Sequence, residues 1–250
     1  MKPTMPIMAH LVLGYPTLAE SIRTAAQYVA AGVQILELQI PFSHPTADGP
    51  VITAACREAI EGQHVTVEDS LRAIHAIRQR FPDQEIIVMS YLNRIFTYGA
   101  ARFTADLEAL RIRHLIVPDL PVDSPMAAKF CTESLQLVPV LAANVGAERL
   151  EKLLQMPFSF YYLMSDFKIT GAGFSLHPRL KAIIERIRTR QAAARIGIGF
   201  GISTPEQALL AAKEADIAIV GSALIQAQYR GELDALLTKI AAAFEPEEVV

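Results

Sequence analysis

IGIGFGISTPEQALLAAKEADIAIVGSA, residues 196–223, places two short apolar runs on either side of a helical segment. The runs, Ile196–Phe200 and Ile217–Val220, are continuous rather than alternating, which is typical of strands buried on both faces of a parallel sheet. Thr204 and Pro205 provide an N-cap and a proline at the first helical position. The stretch therefore predicts a strand–helix–strand unit of an α/β fold.

The same alternation extends over the whole chain. Further apolar runs lie at Ile7–Leu13, Val33–Ile40, Ile86–Met89, His114–Pro118, Leu137–Leu141 and Phe158–Met164. Amphipathic stretches between the runs include Leu18–Ala31, Val67–Arg80, Leu180–Arg190 and Pro205–Glu214, and a terminal helix is predicted over Ser222–Phe244. Eight strands alternating with helices predict a single (β/α)8 TIM barrel over residues 1–250. The alternative, an open doubly wound sheet, usually has a Gly-rich turn directly after its first strand, whereas this first strand ends at Leu13-Gly14-Tyr15-Pro16.

The composition excludes several classes of protein. The chain is 52% hydrophobic and 20% charged, with a formal net charge of −3, so it lacks the basic surface that nonspecific binding to nucleic acid or an acidic membrane requires. It has no signal-peptide pattern, and no apolar stretch reaches the roughly 18 residues of a transmembrane helix. Cys56 and Cys131 have no metal-binding spacing and are interpreted as reduced core thiols. We expect a soluble cytoplasmic protein that binds neither nucleic acid nor membrane.

In a barrel, the active site lies at the carboxyl ends of the strands. Glu37 lies within the second apolar run, and strand alternation places it on the same face as Ile35 and Gln39. A carboxylate directed into the barrel interior is costly unless it is partnered or protonated, which suits either a general acid/base or a hydrogen-bonded structural glutamate. Asp48, in the following loop, is either a second functional carboxylate or part of an Asp-Gly turn.

Glycines mark the other candidate sites. Residues 169–173 follow the sixth run, and their small side chains suit either a loop that closes over a ligand or a plain connection. Gly201 follows the seventh run, and Gly221 and Ser222 follow the eighth, where barrels often bind phosphate. Glycine lets backbone N–H groups approach an oxyanion, and a helix start adds further donors. These two loops contain no basic residue, so backbone donors are expected to bind the phosphate.

The histidines are scattered without metal-ligand spacing, and the chain has no complete Walker or dinucleotide motif. His64, His75 and His177 are expected at the surface, whereas His10 in the first strand is a core or pocket residue. No metal and no cofactor are therefore expected. The residues predict carboxylate acid/base chemistry on a phosphorylated small molecule.

Several motifs together resemble one family, the α subunit of tryptophan synthase. Residues 36–50, LELQIPFSHPTADGP, are similar to that family's LELGIPFSDPLADGP signature. Further matches, in family order over nearly the whole chain, are Tyr91-Leu92-Asn93, Pro118-Asp119-Leu120-Pro121, Tyr162-Leu163-Met164-Ser165, Ile169-Thr170-Gly171, residues 199–207 and Val220-Gly221-Ser222-Ala223. The family's amino-terminal helix is expected to be absent, because the first strand begins near Pro6.

The resemblance implies retro-aldol cleavage of indole-3-glycerol phosphate to indole and glyceraldehyde 3-phosphate. It implies that Glu37 is the general acid/base that protonates the indole ring carbon and that Asp48 holds the indole N–H. The other site residues it implies are the phosphate neighbours Gly171, Gly201, Gly221 and Ser222, the pocket walls Phe200, Tyr162 and Met89, and Thr170 and Asp119 in loop closure and signalling. It also implies a β-subunit partner in an α2β2 assembly, with pyridoxal phosphate only in that partner.

Some positions depart from the family pattern. His44 replaces an aspartate in the loop that faces the β subunit, and Asp166 stands where the mobile loop often has arginine. Gln39 replaces a common glycine, and we expect it to crowd the pocket because it shares the barrel-facing side with the catalytic glutamate. His10 and Pro118 replace the usual small or aromatic pocket residues.

These departures leave three alternatives to a coupled α subunit. The first two are a stand-alone lyase and a paralogue that uses a related phosphorylated substrate; His44 and Asp166 favour both. The third is a catalytically silent partner subunit. The retained Glu37 and Asp48 argue against the third, because a silent subunit has no need of a buried carboxylate.

Overall fold

The computed structural model describes residues 5–164, 168–170, 173–199 and 201–245, with the backbone alone for residues 168–170 and 173–175. The strands are β1 (Met5–Val12), β2 (Val33–Gln39), β3 (Glu85–Met89), β4 (His114–Ile116), β5 (Gln136–Leu137), β6 (Val140–Ala142), β7 (Phe160–Met164), β8 (Lys168–Thr170), β9 (Gly173–Ser175), β10 (Arg195–Gly199) and β11 (Ile217–Val220). The α-helices are α1 (Leu18–Ala31), α2 (Pro50–Arg57), α3 (Val67–Arg80), α4 (Leu92–Tyr98), α5 (Ala100–Ala109), α6 (Ala147–Leu154), α7 (Pro178–Arg190), α8 (Pro205–Glu214), α9 (Ser222–Arg230) and α10 (Leu233–Ala243). A π-helical turn, Glu58–Gly62, follows α2, and a 3-10 turn spans Ala127–Phe130.

The main sheet is parallel and closes on itself. Its strand order is β5-β4-β3-β2-β1-β11-β10-β7-β6, and the two end strands are halves of one extended stretch interrupted at Val138 and Pro139. Backbone bonds continue across the interruption, from Val138 N–H to Leu115 O at 2.9 Å and from Tyr162 N–H to Pro139 O at 3.0 Å. Hence β5 and β6 serve as one barrel strand, and the predicted eight-stranded barrel is confirmed.

Both faces of the sheet are buried, which is why the strands read as continuous apolar runs. In β2, Leu36 and Leu38 belong to the larger cluster between sheet and helices, whereas Ile35 belongs to a smaller cluster. The smaller cluster lies inside the barrel, because its members alternate along the strands with those of the larger one. Glu37 and Gln39 follow Ile35 at intervals of two, so the predicted interior face of this strand carries two polar side chains.

Helices α1, α3 and α8 have the predicted bounds, and each starts where a threonine caps its first turn. Thr17 caps α1, and Thr66 and Thr204 form capping boxes at α3 and α8. The prediction of a single terminal helix over residues 222–244 is wrong, because this segment forms two helices, α9 and α10. Helix α9 ends at Arg230, and its C-cap Gly231 has a φ of +70° and donates its backbone N–H to the carbonyls of the last turn.

Three other predictions concern the chain outside the barrel strands. The expected loop after the sixth barrel strand contains an antiparallel hairpin of β8 and β9, with residues 171–172 outside the described part. Strand β1 begins at Met5, and because residues 1–4 are not described, the absence of an amino-terminal helix stays a prediction. Cys56 is a buried free thiol as expected, but Cys131 is exposed, so its assignment to the core is wrong.

Candidate active site

A cavity opens at the carboxyl ends of the barrel strands. Its wall consists of side chains at the strand ends and in the loops that follow: His10, Glu37, Ala47, Asp48, Gly49, Ile52, Met89, Ile116, Pro118, Val140, Tyr162, Met164, Gly201, Ile202, Ile219, Gly221 and Ser222. The predicted site residues that it brings together are Glu37, Asp48, Met89, Tyr162, Gly201, Gly221 and Ser222. The wall is therefore mostly apolar, with a small group of ionisable side chains, as binding sites for organic ligands usually are.

Glu37 lies inside the barrel, only 2% exposed. His10 is its register partner on β1, and His10 Nδ1 lies 3.2 Å from Glu37 Oε2. Burial lowers the pKa of His10, but the charge and hydrogen bond of Glu37, with the charge of Asp48, outweigh burial, so the imidazole pKa is raised above 6.5. The carboxylate thus has the partner that its burial requires, and it also faces the cavity.

Asp48 is half-buried at the mouth of the same cavity. Its Oδ2 accepts hydrogen bonds from Gln39 Nε2 at 2.7 Å and from the Tyr91 hydroxyl at 2.9 Å. The Tyr91 oxygen in turn accepts the Ala47 N–H at 3.1 Å. Burial raises the pKa of Asp48, and the charge of His10 and these hydrogen bonds offset that rise only in part. Asp48 is therefore more than a turn residue, because buried side chains hold it in one orientation.

Gln39 was expected to crowd the pocket, but the structure places it behind the cavity wall. It is fully buried and forms no part of the cavity wall among the described residues, since its amide is engaged by Asp48. Sequence reasoning placed Gln39 on the correct side of β2 but missed its contact with Asp48. Tyr91 was identified only as part of a sequence motif. The signal for the hydrogen bonds to Asp48 was the strand alternation that places Gln39 inside the barrel.

The glycines of β10 make room for aromatic rings. A Cβ on Gly197 would meet Phe160 Cζ at 3.0 Å and Ile219 Cδ1 at 2.8 Å, and a Cβ on Gly199 would meet the Tyr162 hydroxyl at 2.5 Å. The Tyr162 phenol lies near both carboxylates, and burial first, then their charges, raise its pKa well above 10. These two glycines are therefore explained by packing. Gly201, with φ of +73°, lines the cavity together with Ile202.

The start of α9 is an open helix terminus at the cavity. Its N-cap is Gly221, which provides no side-chain cap, and Gly221 and Ser222 both line the cavity. By contrast, the start of α8 is closed by its own residues: Gln207 Oε1 accepts the N–H groups of Ser203 and Thr204 at 2.6 and 3.2 Å. The first-turn N–H donors and the positive dipole end of α9 suit an anionic group.

Some predicted residues lie elsewhere or are not described. Asp119 is exposed and accepts the Leu92 N–H at 3.0 Å, so it anchors the start of α4 and does not line the cavity. Thr170 lies in β8, for which only the backbone is described. Gly171, Phe200 and Asp166 lie outside the described residues.

Two further departures from the family pattern, Pro118 and His44, also have clear positions. Pro118 lines the cavity. His44 is exposed in the loop before Asp48, where its Nδ1 lies 2.9 Å from the Ser43 hydroxyl and its ring meets Phe42 edge-on. Phe42 stacks in turn on Tyr91 at a centroid distance of 5.1 Å, so this loop packs directly against the residues that hold Asp48.

The described residues include no group of three or more His, Cys, Asp or Glu side chains placed to hold a metal ion. Within the same residues, no helix is long and apolar enough to span a membrane.

The chain is similar to known proteins over almost its whole length. The sequence model of the family described as "Tryptophan synthase alpha chain" matches residues 3–244. The tryptophan synthase alpha chain of Carboxydothermus hydrogenoformans is 33% identical over 242 residues, covering 94% of this chain and 90% of that protein. A structure of Mycobacterium tuberculosis tryptophan synthase is similar with a TM-score of 0.83 and 30% identity, covering 97% of this chain and 93% of that one. A crystal structure of the alpha chain from Legionella pneumophila subsp. pneumophila has a TM-score of 0.81 and 26% identity, covering 99% and 94%. The match extends over the barrel and both carboxylates, and the chain belongs to the tryptophan synthase alpha chain family, the lyases of tryptophan biosynthesis.

Proposed function

We propose that the chain cleaves indole-3-glycerol phosphate to indole and glyceraldehyde 3-phosphate by a retro-aldol reaction. The observation that carries the proposal is a pair of carboxylates held differently in one largely apolar cavity. Glu37 is paired with an imidazole, whereas Asp48 is held by an amide and a phenol. Two carboxyl groups in distinct environments can serve as proton donor and charge stabiliser in one reaction.

Asp48 is suited to hold the indole ring nitrogen. Both of its hydrogen bonds end on Oδ2, which leaves Oδ1 to accept the indole N–H. When the ring carbon that bears the glycerol side chain is protonated, positive charge develops on this nitrogen. A fixed carboxylate oxygen next to the nitrogen stabilises that charge without reorganising.

Glu37 is suited to proton transfer at the bond that breaks. Protonation of the ring carbon turns the ring into an electron sink, so the bond to the side chain can break and its electron pair can return to the ring. The side-chain hydroxyl becomes the aldehyde and loses its proton to a base. Glu37, buried and facing the cavity, is the proposed donor and acceptor of these protons.

The phosphate is proposed to lie at the start of α9, against Gly221 and Ser222, with Gly201 alongside. The apolar walls, including Met89 and Tyr162, are proposed to hold the indole ring. Each step uses side chains and backbone of the chain itself, so we propose that it needs no cofactor.

A β subunit is the proposed partner, in an α2β2 assembly that carries pyridoxal phosphate in the β subunit. The proposal rests on family membership and on the loop that holds His44, which connects the chain surface with Tyr91 and Asp48. A stand-alone lyase is the second candidate, because the exposed His44 replaces an aspartate in this loop and changes its charge.

The test is release of indole from indole-3-glycerol phosphate by the purified chain, with and without a β subunit from the same source. Release that increases with the β subunit supports the coupled enzyme. High release that does not change favours the stand-alone lyase. No release in either case contradicts the proposed reaction.

A further inference from the structure

His10 and Glu37 form the most deeply buried ionisable pair at the cavity among the described residues. Their side chains are 4% and 3% exposed, and 3.2 Å separates Nδ1 from Oε2. Adjacent strands fix the contact, because the two residues are register partners on β1 and β2. A contact fixed by backbone register holds the carboxylate in place more firmly than one between flexible loops.

The other ring nitrogen of His10 is unsatisfied. Nε2 is buried without a hydrogen-bond partner among the described residues, although His10 lines the cavity. The backbone carbonyl of His10 accepts the Tyr28 hydroxyl from α1 at 3.2 Å, and Gly221 before α9 packs near its Cβ. Buried polar atoms are rarely left unpaired without a reason, and among the described residues the close polar contact of the ring is the one between Nδ1 and Glu37.

We propose that His10 is a positioning residue for Glu37, holding the carboxylate through Nδ1 and keeping a transferable proton within the pair. The inference rests on the proposed function of Glu37. The charged groups that act on the ring are Glu37 on β2 and Asp48 in the loop after it, with the Gln39 amide also contributing. Both carboxylates favour the protonated imidazole, whereas burial opposes it.

The proton balance of the pair is closed over one turnover. Before the reaction, the His10–Glu37 pair holds one transferable proton, so it has one proton more than a neutral imidazole next to a carboxylate has. Glu37 delivers that proton to the ring carbon, which leaves neutral His10 next to the Glu37 carboxylate. The carboxylate then takes the hydroxyl proton released as the carbon–carbon bond breaks, so the pair returns to its initial state.

The first test needs no substrate. The ¹⁵N chemical shifts of the His10 ring are followed against pH in the wild-type chain and in Glu37→Gln. The expected midpoint lies above 6.5 in the wild type and falls in the variant, because burial then acts with less opposing charge. An unchanged midpoint overturns the pairing whether or not the chain cleaves indole-3-glycerol phosphate.

The second test uses two substitutions of His10 and the pH profile of kcat for indole release. Asn places an N–H donor where Nδ1 lies but does not titrate, whereas Phe removes both nitrogens and keeps an aromatic ring. We expect His10→Phe to lower kcat by about 10-fold or more and His10→Asn to recover much of that loss. We expect the wild-type rate to decline on the alkaline side as His10 deprotonates, and we expect both variants to lose that decline.

Two results would overturn the inference. One is a wild-type alkaline limb retained in both variants. The other is an equal loss of kcat at every pH in His10→Phe without recovery in His10→Asn, since that pattern indicates only a packing role. Thermal unfolding of each variant verifies that it is folded. A wild-type chain that titrates as expected but releases no indole would contradict the proposed reaction and leave the pairing intact.

Discussion

The side-chain amide of Gln39 donates a 2.7 Å hydrogen bond to Oδ2 of Asp48, the oxygen that also receives the Tyr91 hydroxyl at 2.9 Å. One carboxylate oxygen is thereby occupied from within the protein, and the other is directed by the fixed rotation of the group. Charge-assisted bonds of this kind are about twice as strong as neutral ones. The orientation of Asp48 is thus built into the fold before a ligand arrives.

Removing the Gln39 amide should weaken catalysis through Asp48. We expect Gln39→Ala to lower kcat/KM for indole release by roughly 10-fold, since a hydrogen bond to a charged group contributes about 1.5–3 kcal/mol. The matched control is Gln84→Ala, which removes an amide that donates to the backbone carbonyls of Val33 and Gln34 at the other end of β2. Equal kcat/KM losses in the two variants would show that Gln39 acts through stability alone.

A negative charge at the start of α9 should expel the phosphate. Ser222→Asp keeps a residue type favoured in the first helical turn, so the helix should remain folded, but its carboxylate competes for the donors that the phosphate would use. We expect KM for indole-3-glycerol phosphate and Kd for glyceraldehyde 3-phosphate to rise by about 10-fold or more. Ser222→Ala should change both by less than about 3-fold, because backbone donors remain. Similar constants for Asp and wild type would place the phosphate elsewhere.

His114 should make the fold sensitive to acid. Its Nε2 lies 2.8 Å from the Ser159 hydroxyl, and that hydroxyl donates to Gln136 Oε1, so Nε2 carries the hydrogen of the neutral ring. Burial first, against the charge of Glu85, lowers the pKa of His114 to about 4.

The pKa of His114 is lower in the folded chain than in the unfolded chain, where it is 6.5. The fold therefore keeps its full stability above pH 6.5 and loses stability as the pH falls to about 4, because only the unfolded chain is protonated in that range. The loss amounts to about 3 kcal/mol in the free energy of unfolding. Urea unfolding at pH 7.5 and 4.5 measures it. His114→Gln keeps an N–H donor for Ser159 but does not titrate, so its stability should fall less between these pH values, whereas the exposed His75→Gln should behave as wild type. An identical pH dependence in His114→Gln would contradict the burial argument.

The fold could be predicted largely from sequence because each of its signals is local. Continuous apolar runs gave the barrel strands, and the threonine caps fixed the ends of α1, α3 and α8. The end of α9 was missed because the predicted terminal helix continued through Gly231, whose left-handed φ ends the helix. The sequence also did not predict that one barrel strand divides into β5 and β6 at Pro139. The backbone hydrogen bonds before and after this proline join two different neighbouring strands, β4 and β7.

The site was only half predictable for the same reason. Glu37 stands out in sequence because it interrupts an apolar run, and the loop glycines stand out by composition. The contacts of Glu37 with His10 and of Asp48 with Gln39 and Tyr91 join residues from different strands and loops. Such contacts depend on strand register, which one sequence does not specify. The glycines of β10 depend on contacts of the same kind, because Gly197 and Gly199 leave space for Phe160 and Tyr162 on a neighbouring strand.

The central claim, that Glu37 transfers the proton that permits carbon–carbon cleavage, is tested most directly by kcat for indole release from indole-3-glycerol phosphate in Glu37→Gln. Glutamine keeps the shape of the side chain but cannot deliver or accept the proton. We predict that kcat falls by about 100-fold or more, while KM and the affinity for glyceraldehyde 3-phosphate stay within about 3-fold of wild type because the α9 terminus is intact. A Glu37→Gln chain that releases indole at the wild-type rate would contradict the account.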